Sequence, residues 1–148
     1  MKKEGGFYNT REVKLAIEEN LFEYLVRKHQ FHKSDKSNFD LGEKDYVVYK
    51  NDLFIYCTID KIEGYEIYFT NVKNPNAVSK RLNSFYRLTH KKIKDYNDFI
   101  RKEYSEHDFK QNTDYVNTKY IIQKMLSFIE KNFPEVFEKG DVSIFENT

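Results

Sequence analysis

Apolar positions at helical spacing open the chain. Val13, Ile17, Leu21, Tyr24 and Leu25 fall on one side of a helical wheel, and Leu15, Phe22 and Val26 widen the arc. The spacing predicts a helix from about Arg11 to Lys28, capped by the Thr10 hydroxyl, and the breadth of its apolar face predicts packing against two neighbours. From His29 to Glu43 the pattern dissolves into Ser, Asp, Asn and Lys around Phe31, Phe39 and Leu41, which reads as a loop or an irregular edge strand. Period-two alternation then takes over. Three runs rich in β-branched and aromatic residues, Tyr46 to Lys50, Leu53 to Asp60 and Tyr65 to Val72, are separated by Asn51-Asp52 and by Lys61 to Gly64, which predicts a three-stranded antiparallel meander.

The pleat sorts the second strand into Leu53, Ile55, Cys57 and Ile59 on one face and Phe54, Tyr56 and Thr58 on the other. The first face is the more apolar and is expected to meet the core. In the third strand Ile67 and Phe69 match it, while Glu66, Tyr68 and Thr70 share the opposite face. The pairing that suits them sets Ile59 opposite Ile67 and Cys57 opposite Phe69.

Helical spacing returns after Asn74-Pro75, a good cap followed by a residue that costs no hydrogen bond at the first helical position. Leu82, Phe85, Tyr86, Thr89, Ile93, Tyr96 and Ile100 then share one arc. The polar stretch Glu103 to Thr113 predicts a turn. Thr113 or Asp114 is expected to cap a last long helix to about Asn132, with Ile121, Ile122, Met125, Leu126, Phe128 and Ile129 inward. Pro134 ends or kinks it, Gly140 stops a short turn from Glu135 to Lys139, and Val142 to Phe145 could add a terminal strand. Strands segregated from helices predict the α+β class: an N-terminal helix, the meander, then two or three C-terminal helices packed on one sheet face. With no internal repeat or linker-like stretch, residues 1–148 read as a single domain.

Composition narrows the function classes. The 25 Lys plus Arg against 24 Asp plus Glu leave a net charge of +1, so no whole-molecule field draws nucleic acid or an acidic membrane. The 13 Phe and 12 Tyr must carry much of the core. One cysteine excludes an intramolecular disulfide and fits a reducing compartment. No apolar run reaches the length of a membrane span, and no signal-peptide pattern follows Met1, so a cytoplasmic location is expected.

No catalytic residue can be assigned from motifs, because the Gly-rich phosphate loops and the nucleophile-elbow pattern are all missing from the sequence. No cofactor is implied. His29 and His32, with Glu106-His107-Asp108, are too loose a set to assign as metal ligands, and basic residues at a helix end follow from its dipole. Cys57 lies between inward Ile55 and Ile59 and reads as a packed core thiol rather than a nucleophile. Asp52, Asp60 and Glu63 cluster at hairpin ends, where carboxylates are common in any protein. Between Ile67 and Lys94 the chain carries Lys73, Lys80, Arg81, Arg87, Lys91, Lys92 and Lys94 and no acid; Lys80, Arg87, Lys91 and Lys94 would form one helical stripe able to track a phosphate backbone. Phe54, Tyr56 and Tyr68 on the outer sheet face are candidate partner-binding anchors, unless helices cover them as core.

The runs Asn20-Leu21-Phe22-Glu23-Tyr24-Leu25, Phe31, and Asp45-Tyr46-Val47-Val48-Tyr49-Lys50-Asn51-Asp52-Leu53-Phe54-Ile55 together resemble the front of small bacterial immunity-type proteins found beside polymorphic toxins. In those, an amphipathic helix with a Tyr-Leu step leads into a hairpin and then helices, and the resemblance spans residues 12 to 72. Asp60-Lys61 stands where such proteins often carry Asp-Arg, and the basic segment after Pro75 lies outside their pattern. The resemblance implies an α+β binding protein without catalysis whose partner is another protein, a toxin neutralised by direct binding. The expected function is therefore a non-catalytic interaction module. The alternative is a nucleic-acid-associated protein using the basic segment around residues 80–94.

Overall fold

The computed structural model describes residues 7–33, 47–62, 64–71, 82–83 and 90–141, with the backbone alone at 70–71, 82–83 and 90–94. The first helix is continuous from α1 (Thr10–Ile17) through a π-helical stretch (Glu18–Phe22) into α2 (Glu23–His29). Its cap is Asn9, one residue earlier than expected, whose side-chain oxygen accepts from the Glu12 amide at 3.2 Å. Thr10 is the first helical residue. The wide turn supplies one extra residue, which brings Phe22, Leu25 and His29 onto the stripe begun by Val13 and Ile17. Leu15, placed in the apolar arc by its spacing, is 46% exposed instead. The Asn20 amide donates to the Ala16 carbonyl at 2.9 Å across the wide turn.

A five-stranded antiparallel sheet follows in the order β1 (His32–Lys33), β2 (Val47–Lys50), β3 (Leu53–Asp60), β4 (Gly64–Asn71), β5 (Leu82–Asn83). The three long strands are the expected meander, and a two-residue strand is added at each edge. Residues 34–46, which include most of the expected loop and Tyr46, lie outside the described residues.

The β3–β4 register differs from expectation by two residues: Cys57 faces Ile67, Ile55 faces Phe69 and Ile59 faces Tyr65. The cause is a tighter hairpin. Asp60 pairs with Gly64, whose φ of +93° turns the chain, and the Asp60 carboxylate accepts from the Ile62 amide at 3.0 Å. Because side chains alternate with period two, a two-residue shift leaves every residue on its expected face.

The helix expected from Pro75 begins at His90. Within its span Leu82 and Asn83 pair with Phe69 and Tyr68 as an edge strand, so ladder hydrogen bonds at the β4 edge override the helical periodicity there. The rest of that stretch, with Pro75, Phe85, Tyr86 and Thr89, lies outside the described residues. From His90 the chain forms α3 (His90–Glu106), then α4 (Asp114–Asn132) and α5 (Pro134–Lys139). Thr113 caps α4 as expected, accepting from the Val116 amide at 3.2 Å. Gly140 ends α5 in the left-handed region, and the expected strand at 142–145 lies outside the described residues.

One core cluster joins these elements. Leu53, Ile55, Cys57, Ile67 and Phe69 of the sheet meet Val13, Ile17, Phe22 and Leu25 of the first helix and Ile122, Met125, Leu126 and Ile129 of α4. Cys57 is thus packed as the sequence implies. The first helix and α4 run parallel and cap each other. Asp114 accepts from the Asn9 amide at 2.6 Å while Glu12 accepts from the Tyr115 amide at 3.3 Å, so each carboxylate sits at the positive end of the neighbouring helix. Among the described residues no helix is long and apolar enough to cross a membrane.

Candidate functional site

The sheet face turned away from the helices is the candidate site. An antiparallel sheet with one covered face ordinarily carries polar residues on the other. Here the register stacks rings instead. His32, Tyr49 and Phe54 stand side by side across β1, β2 and β3, with ring centroids 5.3 Å apart for His32 and Tyr49 and 5.1 Å for Tyr49 and Phe54. In the next row Val47, Tyr56 and Tyr68 align across β2, β3 and β4, and the two tyrosine rings lie nearly parallel at 4.8 Å. Val47 and Tyr56 form a cluster separate from the main core, with Phe54 and Tyr68 packed against it.

The three expected anchors do not share one environment. Phe54 and Tyr68 are half-buried and each keeps accessible ring surface. Tyr56 is 0% exposed, so it cannot touch a partner as the fold stands, and its role as a contact residue is corrected to that of a packing residue. Val47 of β2, Tyr68 of β4 and Phe54 of its own strand pack against it. Tyr49 and His32 belong to the same surface, a place that the sequence pattern signals for neither as a partner-binding residue. The alternation of β2 points Tyr49 outward with Val47, and only the pairing of β1 brings His32 beside it.

The third row of this face holds Thr58 opposite Glu66. Burial pushes the Glu66 carboxyl above its ordinary value.

The alternative phosphate-tracking stripe is not supported as drawn. It required one helix through residues 80 to 94, and β5 at Leu82–Asn83 interrupts that span. Lys80 and Arg87 lie outside the described residues, and Lys91 and Lys94 belong to the first turns of α3, where only backbone is described.

A second polar cluster lies on the helical side. A groove of about 460 Å³ between the first helix and α4 is lined by Glu19, Asn20, Tyr24, Arg27, Lys124 and Glu130, among others. Glu130 is its hub. Tyr24 donates to both of its oxygens at 2.7 and 2.8 Å, and Lys28 pairs with it at 3.2 Å. His29 Nε2 lies 2.9 Å from Oε2, which places a proton on that nitrogen because a carboxylate only accepts. Burial would raise the Glu130 carboxyl, but the bonds from Tyr24, His29 and Lys28 outweigh it and hold the group below its ordinary value. Tyr120 donates to Glu103 at the other end of α4, and its hydroxyl is pushed up to about 12 by that bond. These contacts tie helices together. They join residues more than a hundred positions apart in the case of Glu130, which local pattern does not signal.

The depressed Glu130 carboxyl has a pH signature. A group whose acidity is strengthened by folding contributes stability above its unfolded value, near 4.5, and loses it as pH falls through the folded value. Glu130→Gln should therefore destabilise the protein at neutral pH and by much less at about pH 3, measured by urea midpoints at both. An equal effect at the two pH values would contradict the ion-paired hub.

Among the described residues no group of three or more His, Cys, Asp or Glu side chains comes together to hold a metal ion. His29 is committed to Glu130, His32 to the ring of Tyr49, and His107 to Asn117 at 2.8 Å and to the face of Tyr120. Asp52 and Asp60 lie at opposite ends of β3, so the hairpin carboxylates do not form a pair, and Glu63 lies outside the described residues. No protein-family profile, curated protein or solved structure matches the chain.

Proposed function

We propose that the protein is a non-catalytic interaction module that acts by binding another protein through its outer sheet face, in the manner of an immunity protein that neutralises a toxin. The observation that carries this reading is the set of accessible rings on that face, the row His32–Tyr49–Phe54 and Tyr68 stacked on the buried Tyr56, where water-facing polar residues would be expected. Rigid rings that present area at low entropic cost are the usual anchors of protein interfaces. The likeness of residues 12 to 72 to immunity-type proteins supports the same reading.

The test is a calorimetric titration against the protein encoded beside it, in parallel with mixed-sequence DNA and RNA at low salt. The reading expects nanomolar affinity for the protein, and Phe54→Ala or Tyr68→Ala should each weaken it by more than about 1 kcal/mol. Micromolar or tighter nucleic-acid binding that falls steeply with salt would favour the alternative instead. Protein binding indifferent to both substitutions would remove this face as the site.

A further inference from the structure

The outer sheet face holds one carboxylate that burial disfavours and that meets no hydrogen-bond donor among the described residues. Glu66 points outward from β4, opposite Thr58 and two residues before Tyr68, so its carboxylate stands at the rim of the Tyr56–Tyr68 stack. It is half-buried. No hydrogen bond or ion pair of Glu66 is seen among the described residues, and the positive charge of the chain's N-terminus only partly offsets its burial. A carboxylate that loses water without gaining donors is destabilised, and the upward shift of its pKa, caused by burial, reports that penalty. The nearest lysines in the described hairpins are occupied elsewhere. Lys50 points to the helical side, where its ammonium donates to the carbonyls of His29 and Phe137 at 2.7 and 2.9 Å, and Lys61 lies over the ring of Phe7.

We propose that the partner protein presents a basic side chain, an arginine, to this point, with its guanidinium against the Glu66 carboxylate and over the exposed surface of Tyr68. The proposal rests on the protein-docking reading and adds the partner's chemistry to it. Charge complementarity argues for the occupant: an incoming acid would meet Glu66 with like charge, whereas an apolar group would bury the carboxylate further unpaired. A guanidinium satisfies both neighbours at once, because its planar fork matches a carboxylate and its flat face suits an aromatic ring. The arrangement trades stability for recognition, as binding surfaces commonly do.

The probe is N-acetyl-Gly-Arg-Gly-amide, titrated into the nitrogen-15-labelled full chain and followed by amide shifts, with the Gly-Glu-Gly analogue as control. Saturable shifts centred on Thr58, Glu66 and Tyr68 are expected from the arginine peptide and none from the glutamate peptide. Glu66→Gln should weaken that response about tenfold or more. It should leave the thermal midpoint at neutral pH unchanged or raised, an outcome that a purely structural carboxylate would reverse. The proposal is overturned if shifts fall elsewhere, if Glu66→Gln responds like the native chain, or if a response appears only once the N-terminal ammonium is acetylated, which would make that group the occupant. Titration with the neighbouring gene product separates the two readings. If Tyr68→Ala loses affinity and Glu66→Gln keeps it, the arginine assignment fails and docking stands; if neither variant loses affinity, the docking face itself fails.

Discussion

Replacing Tyr56 with alanine should lower the unfolding free energy by about 3 kcal/mol, the order found when a large buried ring is removed and the space only partly collapses. Tyr56 is among the largest fully buried side chains of the protein, although it stands on the sheet face opposite the helices. Its loss would take a stacking partner from Tyr68 and packing from Val47 together. Urea unfolding at unchanged slope reads the effect directly. Phe54→Ala and Tyr68→Ala, at half-buried positions of the same face, should cost much less. A Tyr56→Ala protein as stable as the native one would mean that this face is loosely packed and that the outer aromatic cluster contributes nothing to the fold.

Gly140→Ala should be at least as damaging, at about 3 kcal/mol or more, for a reason rooted in backbone geometry. Gly140 ends α5 at φ +63°, a conformation that side chains disfavour. A Cβ built there would stand 2.1 Å from the Lys50 carbonyl oxygen and 2.8 Å from its carbon. Neither contact can be relieved by a rotamer change, since both atoms are backbone. The β2–β3 turn is pinned against this helix end by Asn51, whose amide donates to the Lys139 carbonyl at 2.7 Å, and by the Lys50 ammonium on the Phe137 carbonyl. Moving Gly140 away would pull on both. Thermal unfolding should show the loss, and a midpoint within a degree or two of the native value would mean that the hairpin and α5 do not meet this closely.

Where the amino-acid pattern is strong and local, it reads correctly. The Thr113 cap, the inward face from Ile121 to Ile129, the Pro134 break and the Gly140 stop are all set by neighbouring residues, and all stand where the pattern puts them. The two faces of β3 are likewise legible, because alternation fixes them whatever the register. The register itself was decided by Gly64, whose positive φ closes a tighter turn than the matching of Ile59 with Ile67 suggests. Two further features needed partners distant in sequence. Leu82 and Asn83 read as helix until the β4 edge supplies their hydrogen bonds, and the extra residue of the π-helical turn shows only in which side chains it turns inward.

The candidate site was half legible for the same reason. Outward placement of Phe54, Tyr56 and Tyr68 follows from alternation alone, but which of them stays accessible depends on the neighbours that pairing brings. Tyr56, with Val47, Phe54 and Tyr68 packed around it, is fully buried, while Phe54 and Tyr68 remain half-open. In the sequence Glu66 is legible only as an outer-face residue beside Tyr68 and Thr70. That it meets no donor among the described residues is a property of the assembled face.

The division of labour between the two sheet faces is tested most directly by measuring stability and partner affinity on one and the same protein, Tyr68→Ala. An inner face that holds the fold and an outer rim that docks predict an unfolding free energy lowered by no more than about 1.5 kcal/mol, together with affinity for the neighbouring gene product weakened at least fivefold or so. The opposite pairing, several kcal/mol of lost stability with unaltered affinity in the folded fraction, would make Tyr68 a core residue and contradict the assignment of this face to binding.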